Sequence, residues 1–397
     1  MTDMENLVCR TESGLFVRQE EEGLLVYSPY SGLMFLVHPE DVKDTLSWLR
    51  RTSDNAPSEV VMNALGIGWD DRVSEGSFGA THYLGGKEKW DRYPWMKDFP
   101  ILINWFLTGN CQLACKYCDA SDLMRNVRPE PSARDLKRIA ASILSYHPLA
   151  VVLTGGEPLL SPHIEECIRL LHEHTGVIVD TNGVLLDSSR VSLFKRYQVV
   201  VRVSLDSPLP HYNDDLRRFS ENESVVGRGG ELSSLQSALK ALCLCLDEGI
   251  PVSVQTVATK RTINDLPAFG DRLYRLGVRF WRVHLVSLSR DNPNYEALTV
   301  PAKSCHNTVS KLLRVRHRWE GMDFQVLDDA NRNAVVIVST DGEFLTESNT
   351  GKGKIAIDRE SPRLPAPERV FLVVSREAHA RRYLGGSSIQ SERWSNG

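Results

Sequence analysis

The sequence predicts an α/β protein organised around a parallel sheet, and three observations carry that prediction. From residue 100 onward, short apolar runs alternate with stretches of helical periodicity, six times in succession. Strand–helix units repeated in this way give parallel strands, open or curled into a partial barrel. The two clearest motifs of the chain lie at the ends of strands in this series, where ligands bind on such sheets. A different pattern precedes the series, so the 397 residues read as two to three folding units.

The first unit, residues 1–70, is a small α+β module. Leu15-Phe16-Val17-Arg18, Leu24-Leu25-Val26-Tyr27 and Leu33 to Val37 alternate as three short strands. Ser28-Pro29-Tyr30-Ser31-Gly32 supplies a turn between the last two. Pro39 opens a helix with Val42, Leu46 and Leu49 at helical spacing, and Pro57-Ser58-Glu59 opens another. Residues 71–98, rich in Gly and charge, read as a linker that Trp90, Tyr93 and Trp95 dock onto a neighbour.

The core spans residues 99–290. Its expected strands are Ile101 to Leu107, Ala150 to Thr154, Val177 to Asp180, Val199 to Leu205, Pro251 to Val257 and Phe280 to Val286. Helices fall between them; Leu136, Ile139, Ala140 and Ile143 mark the apolar face of the first. Residues 291–397 form a C-terminal cover. They hold a helix near 302–318, a hairpin on Asp341-Gly342, a last strand at Phe371 to Val374 and a frayed tail.

Composition excludes several classes. Hydrophobic residues at 42% and charged residues at 25% describe a globular chain rather than a disordered one. A net charge of −4 gives no global basic field for nucleic acid. No apolar run reaches the roughly 18 residues of a membrane span, and the acidic start Met1-Thr2-Asp3-Met4-Glu5 lacks a signal-peptide core. A cytoplasmic protein without membrane contact is expected. Eight cysteines in a long chain of this kind point to metal or redox chemistry rather than disulfides.

Cys111, Cys115 and Cys118 are the strongest signal. They fall within eight residues, in a loop directly after the first core strand. A structural zinc site normally takes four protein ligands in two pairs, and no second CxxC pair exists. Three thiolates on a 4Fe–4S cluster leave one iron for a substrate or cofactor. A three-cysteine zinc site with a distant His, or three unrelated cysteines, are the alternatives. The second signal is Gly155-Gly156-Glu157-Pro158 at the end of the second core strand. The glycines let backbone pass close to a ligand, and the carboxylate accepts from an ammonium group; alone it reads equally well as a turn.

Together these motifs resemble the radical S-adenosylmethionine (SAM) superfamily. The triplet carries aromatic Tyr117 before its last cysteine, and Gly155-Gly156-Glu157-Pro158 follows about 40 residues on. Asp180-Thr181-Asn182-Gly183 and Ser204-Leu205-Asp206-Ser207 end the next two strands as in such enzymes, so the likeness covers about residues 100–290. The resemblance implies a partial (β/α)6 TIM-like barrel. It implies a 4Fe–4S cluster on Cys111, Cys115 and Cys118, with SAM chelating the fourth iron. It places Gly155, Gly156 and Glu157 at the methionine ammonium, Asn182, Ser204 and Asp206 at the carboxylate or ribose, and Tyr117 near the adenine. Strand-end capping competes for Ser204 and Asp206, and a left-handed turn before Gly183 for Asn182. An electron donor such as a flavodoxin or ferredoxin is the implied partner. No catalytic acid or base is named.

No auxiliary cluster is expected, since Cys305 alone follows residue 245. Cys167, Cys243 and Cys245 read as core residues, the last two on different helix faces. The N-terminal module resembles the winged-helix-like peptide-recognition domains of ribosomal-peptide maturation enzymes, which take a leader peptide as an added strand. A plain structural cap is its alternative. The C-terminal segment is similar to the cluster-free cover of the viperin-like group that acts on nucleotides, and Gly351 to Lys354 offers flexible backbone and two ammonium groups. Arg282 or His284 on the last core strand faces the cavity. The expected substrate is thus a peptide undergoing maturation, or else a nucleotide or sugar nucleotide; a non-enzymatic iron–sulfur or zinc module is the third class.

Overall fold

The structure is a computed structural model. It describes residues 8–49, 99–120, 131–220, 232–327, 334–347 and 354–384, apart from residues 12, 13, 21, 22, 31, 38, 119, 287, 289 and 291. The expected helix near 57–65, the linker 71–98, Gly351 to Gly353 and the C-terminal tail lie outside these residues.

The N-terminal sheet is an antiparallel meander of β1 (Val8–Arg10), β2 (Phe16–Gln19), β3 (Leu24–Ser28) and β4 (Leu33–Val37), followed by α1 (Pro39–Leu49). Four strands replace the three expected. β1 is only three residues long and lacks alternation, yet it pairs with β2 from Val8↔Arg18 to Arg10↔Phe16. Side chains alternate between two packed faces. Leu15, Val17, Leu24, Val26, Phe35 and Val37 meet Val42 and Leu46 of α1, while Phe16, Leu25, Tyr27, Met34 and Leu36 join the core beneath the main sheet. Burial of both faces explains why these strands read as continuous apolar runs.

The main sheet runs β11-β10-β9-β8-β7-β6-β5-β12-β13-β14. The six expected parallel strands are β5 (Leu102–Thr108), β6 (Ala150–Gly155), β7 (Gly176–Thr181), β8 (Val200–Ser204), β9 (Val252–Ala258) and β10 (Phe280–Leu285). Two more extend the parallel run, β11 (Asp323–Leu327) beside β10 and β12 (Val336–Val338) beside β5. β11 escapes a hydrophobic scan because Asp323 and Gln325 occupy alternate positions. The expected hairpin is present, β12 pairing with β13 (Phe344–Glu347) around Gly342 at φ 87, and β14 (Lys354–Ala356) ends the sheet.

Helices α2 (Ala133–Leu144), α3 (Ile164–Leu171), α4 (Ser188–Arg196), α5 (Pro210–Leu216), α6 (Ser234–Asp247) and α7 (Leu266–Arg275) connect the parallel strands. Ile103, Val151, Val179, Val203 and Trp281 face these helices in the larger core. Phe106, Val152, Ile178 and Val200 face the other way, into the barrel interior. The fold is therefore a partial TIM-like barrel. Short α8 (Tyr295–Leu298) and α9 (Ala302–Val315) precede β11.

Two expectations are corrected. Phe371 to Val374 is not a strand but the end of α10 (Pro367–Val373). Pro367 starts it, and buried Val370 and Val374 lie four residues apart on one face. Cys243 is exposed rather than core, because it stands two residues from buried Cys245 on α6 and so on another side of the helix. Cys167 and Cys245 are buried as expected, and Cys305 is buried too.

The N-terminal sheet and the last helix, α11 (Arg376–Leu384), close the barrel at the end where the parallel strands begin. Arg18, 0% exposed, donates to Glu20 at 2.7 Å and to the carbonyls of Pro100 and His147, both at 2.9 Å, just ahead of β5 and β6. The Tyr27 ring lies so close to Gly176 that a Cβ there would stand 2.1 Å from it. His379 of α11 accepts from the Ile101 amide at 2.9 Å and donates to the Ala334 carbonyl at 2.6 Å.

Candidate active site

The cysteine loop leaves β5 at the opposite end, the C-terminal ends of the parallel strands. Backbone bonds zip it onto the end of α5 and the residues that follow: Ala114 N donates to Arg218 O at 2.8 Å and Lys116 N to Leu216 O at 3.0 Å. Asn294 fixes Lys116 O from the far side at 3.0 Å. The loop thus holds Cys111, Cys115 and Cys118, all partly buried, on a braced backbone. Leu113 N points at Cys111 Sγ at 3.4 Å and Asn182 Nδ2 at 3.9 Å. Burial pushes the Cys111 and Cys115 thiols up; Glu157 adds to this at Cys111, while Arg217 opposes it at Cys115.

Gly155 and Gly156 carry the end of β6 directly against this loop. A Cβ on Gly155 would meet Thr108 O at 2.4 Å, and one on Gly156 would meet Asn110 O at 2.2 Å. Gly155 also sits at φ 137, open to glycine alone. Backbone bonds then lock the contact, Gly156 N to Thr108 O and Glu157 N to Asn110 O, both at 2.8 Å. Glu157, 1% exposed, ties β6 to β7: it accepts from Asn182 N at 2.8 Å, Thr181 Oγ1 at 2.8 Å and Leu159 N at 3.2 Å. Burial lifts its carboxyl to about 7 against the pull of these donors.

Asn182 bridges the two motifs, accepting from Gln112 Nε2 at 3.2 Å. It is also the turn residue before Gly183 (φ 83), accepting from Val184 N at 3.0 Å. Ser204 ends β8 half-buried, its hydroxyl without a partner among the described residues. Asp206, 1% exposed, accepts from Val257 N at 2.8 Å and from the Tyr117 hydroxyl. Arg217 donates to Tyr117 Oη at 2.7 Å and lies 3.5 Å from Asp206. Tyr117 and Asp206 therefore form one buried network with Arg217 beneath Cys115.

The sequence reading missed Arg217 and Gln112. Arg217 reaches Tyr117 across 100 positions of chain, for which sequence spacing gives no signal. Gln112 lay inside the cysteine motif and was legible as a polar neighbour. Its Oε1 is buried with no hydrogen-bond partner among the described residues, an orphaned acceptor beside the cysteines that suits a ligand bringing a donor.

Residues 105–273 match the Radical SAM superfamily. Among curated proteins, the chain is 27% identical over 197 residues to the Fe-coproporphyrin III synthase of Methanosarcina barkeri, covering 49% of this chain and 46% of that one. It is 30% identical over 182 residues to the mycofactocin maturase MftC of Mycobacterium tuberculosis, covering 45% and 43%. A probable GTP 3′,8-cyclase of Methanococcus maripaludis is 25% identical, covering 49% and 62%. The match thus spans about half the length of these relatives. Among solved structures, Streptococcus suis SuiB bound to S-adenosylmethionine superposes with a TM-score of 0.59 at 13% identity, covering 94% of this chain and 90% of that one. The enzyme anSMEcpe with bound AdoMet gives 0.52 at 14% identity, covering 74% and 95%.

The superfamily uses a 4Fe–4S cluster and SAM, and the donor set fits both: three thiols on one braced loop, amide donors aimed at Cys111, and the orphaned Gln112 acceptor beside them. Among the described residues no three His, Cys, Asp or Glu side chains gather as ligands of one metal ion; thiolates on separate irons of a cluster need not. The sequence match, the shared barrel and this site together mark residues 105–273 as a radical SAM domain.

Proposed function

We propose that this chain is a radical SAM enzyme that takes a hydrogen atom from a ribosomally synthesised peptide during its maturation. Cys111, Cys115 and Cys118 would hold the 4Fe–4S cluster. Bound there, the cluster would supply the electron for reductive cleavage of SAM, and with it the radical chemistry that removes hydrogen from a substrate. Asn182 and the Leu113 amide would donate to the Cys111 sulfur. The backbone of Gly155 and Gly156, with the Glu157 carboxylate behind it, would meet the methionine ammonium, and the free Ser204 hydroxyl its carboxylate or the ribose. Tyr117 would wall the adenine, held in place by Asp206 and Arg217. Asp206 acts there as a positioning residue, since its oxygens already accept from Tyr117 and Val257.

The observation that carries the peptide reading is the N-terminal sheet fastened beneath the barrel. SuiB, whose fold is shared here, has been captured with its precursor peptide SuiA; that structure covers 93% of this chain with a TM-score of 0.55. The test is a binding titration of the full chain with short peptides encoded beside its gene. Saturable binding, with 5′-deoxyadenosine formation stimulated by the same peptide, is expected. No binding, together with stimulation by nucleotides, would favour the second reading, a small-molecule substrate, to which the GTP-cyclase relative lends support.

A further inference from the structure

The barrel interior holds a polar layer that the cysteine loop and strand-end motifs leave unused. Along β10, Phe280, Arg282 and His284 face inward, while Trp281, Val283 and Leu285 join the helix-side core. Register sets Gln255 of β9 and Gln325 of β11 beside Arg282, with Arg202 of β8 across from Asp180 of β7. Arg202 is paired, its Nη2 donating to Asp180 Oδ2 at 2.7 Å and its Nε to the other oxygen. Gln255 Nε2 donates to Asp180 at 3.2 Å, and its Oε1 lies 3.2 Å from His284 Nε2.

Arg282 has no such counterion. Its Nε donates to Gln325 Oε1 at 3.0 Å, and the guanidinium carbon stands 5.5 Å from the Phe280 ring centroid. Among the described residues neither Nη has a hydrogen-bond partner, and Arg282 enters no ion pair. Yet it is only 8% exposed. It borders a cavity of about 40 Å³ at the closed end of the barrel, which Ser253 and Arg202 line on the barrel side and Leu33 and Tyr383 from the N-terminal sheet and α11. A single water needs roughly 10–15 Å³, so the space takes a small polar group. Ser253, 4% exposed, adds a hydroxyl without a partner among the described residues. Asp323 also lines the cavity and has a partner of its own. Burial, and the nearby guanidiniums of Arg202 and Arg382, push Arg282 down to about 9. Asp180 and Tyr383 oppose that push only in part, and Asp180 is already engaged by Arg202 and Gln255.

We propose that this cavity binds an oxyanion, a carboxylate or phosphate group, with Arg282 donating both Nη groups and the Ser253 hydroxyl completing the cradle. As an anion site it stands independently of the cofactor chemistry; as the seat of a substrate's acidic group it rests on the proposed function.

The test is thermal unfolding of the full chain titrated with sodium phosphate and, separately, sodium acetate, ionic strength being held constant with chloride. A saturable rise in Tm with at least one anion is expected. Its half-saturating concentration should rise at least tenfold in Arg282→Gln and less in Arg282→Lys, which keeps the charge. Preference for acetate would assign the site to carboxylates and preference for phosphate to phosphoryl groups. No saturable shift with either anion, or equal shifts in wild type and variants, would overturn the proposal. Should Arg282→Gln fail to fold, Arg282→Lys and Ser253→Ala carry the comparison. SAM cleavage by wild-type protein, measured on the same preparation, reports separately on the proposed function.

Discussion

At the residue scale, the site depends on buried polar groups that satisfy one another. Arg217 is the clearest case. Burial alone would lower its pKa, but Tyr117, Cys115 and Asp206 around it hold it charged. Removing the cation leaves the Asp206 carboxylate buried with only neutral donors, and breaking such a pair from one side costs about 3–5 kcal/mol. Arg217→Met is therefore expected to lower unfolding free energy by about 3 kcal/mol in urea titration of the cluster-free protein, whereas Asp206→Asn with Arg217→Met should recover part of it. Equal losses in the single and double variants would show that the two do not interact. Sequence reading reached Tyr117 and Asp206 because each sits at a motif or strand end. It did not reach their partner, since only the folded chain brings Arg217 beneath Cys115.

At the element scale, the glycines at the end of β6 are an approach device: they let a strand end lie on the backbone that carries Cys111. Gly156→Ala would place a Cβ 2.2 Å from Asn110 O, backbone that cannot swing aside. Iron incorporated on reconstitution should fall several-fold although every cysteine remains; unchanged iron content would contradict this contact. His379 does for α11 what the glycines do for the loop. It is buried and neutral, with its pKa lowered to about 3, first by burial and then by Arg18 and Arg382. The unfolded chain binds its proton more readily. The contribution to stability is therefore complete above the unfolded value near 6.5 and is lost as pH falls toward 3. Unfolding free energy should decline by up to about 1.4 kcal/mol per pH unit below pH 6.5 through this residue, and His379→Gln should flatten that slope. Identical slopes would exclude it.

The strands with uninterrupted apolar runs were legible because periodicity and turn residues agree there. β11 was not, since its inward positions carry Asp323 and Gln325; nor was α10, whose Val and Phe residues mimic a strand until Pro367 is read as a helix start. Within the site, the cysteines and Gly-Gly-Glu-Pro declare themselves by spacing. The cross-chain contacts of Gln112, Arg217 and Arg282 arise only from topology.

At the scale of the whole molecule, the two ends of the barrel are different environments. The cysteine loop occupies one end; the N-terminal sheet, clamped by Arg18 and Tyr27, closes the other. No helix among the described residues is long and apolar enough to cross a membrane. A peptide anchored on that sheet must run the length of the strands before meeting the cysteine end, about 20 Å at roughly 3.3 Å per residue. Peptides whose anchoring segment and modified residue are separated by fewer than about six residues should bind but not react, as read by mass spectrometry of the product. Efficient modification at shorter spacing would place the peptide elsewhere.

The central claim, a cluster-dependent SAM-cleaving site on the Cys111 loop, is tested most directly by anaerobic reconstitution of the full chain followed by reduction with SAM. The account predicts about four irons per chain, formation of 5′-deoxyadenosine, and loss of both in Cys115→Ala. Bound zinc without SAM cleavage, or cleavage that survives Cys115→Ala, would contradict it.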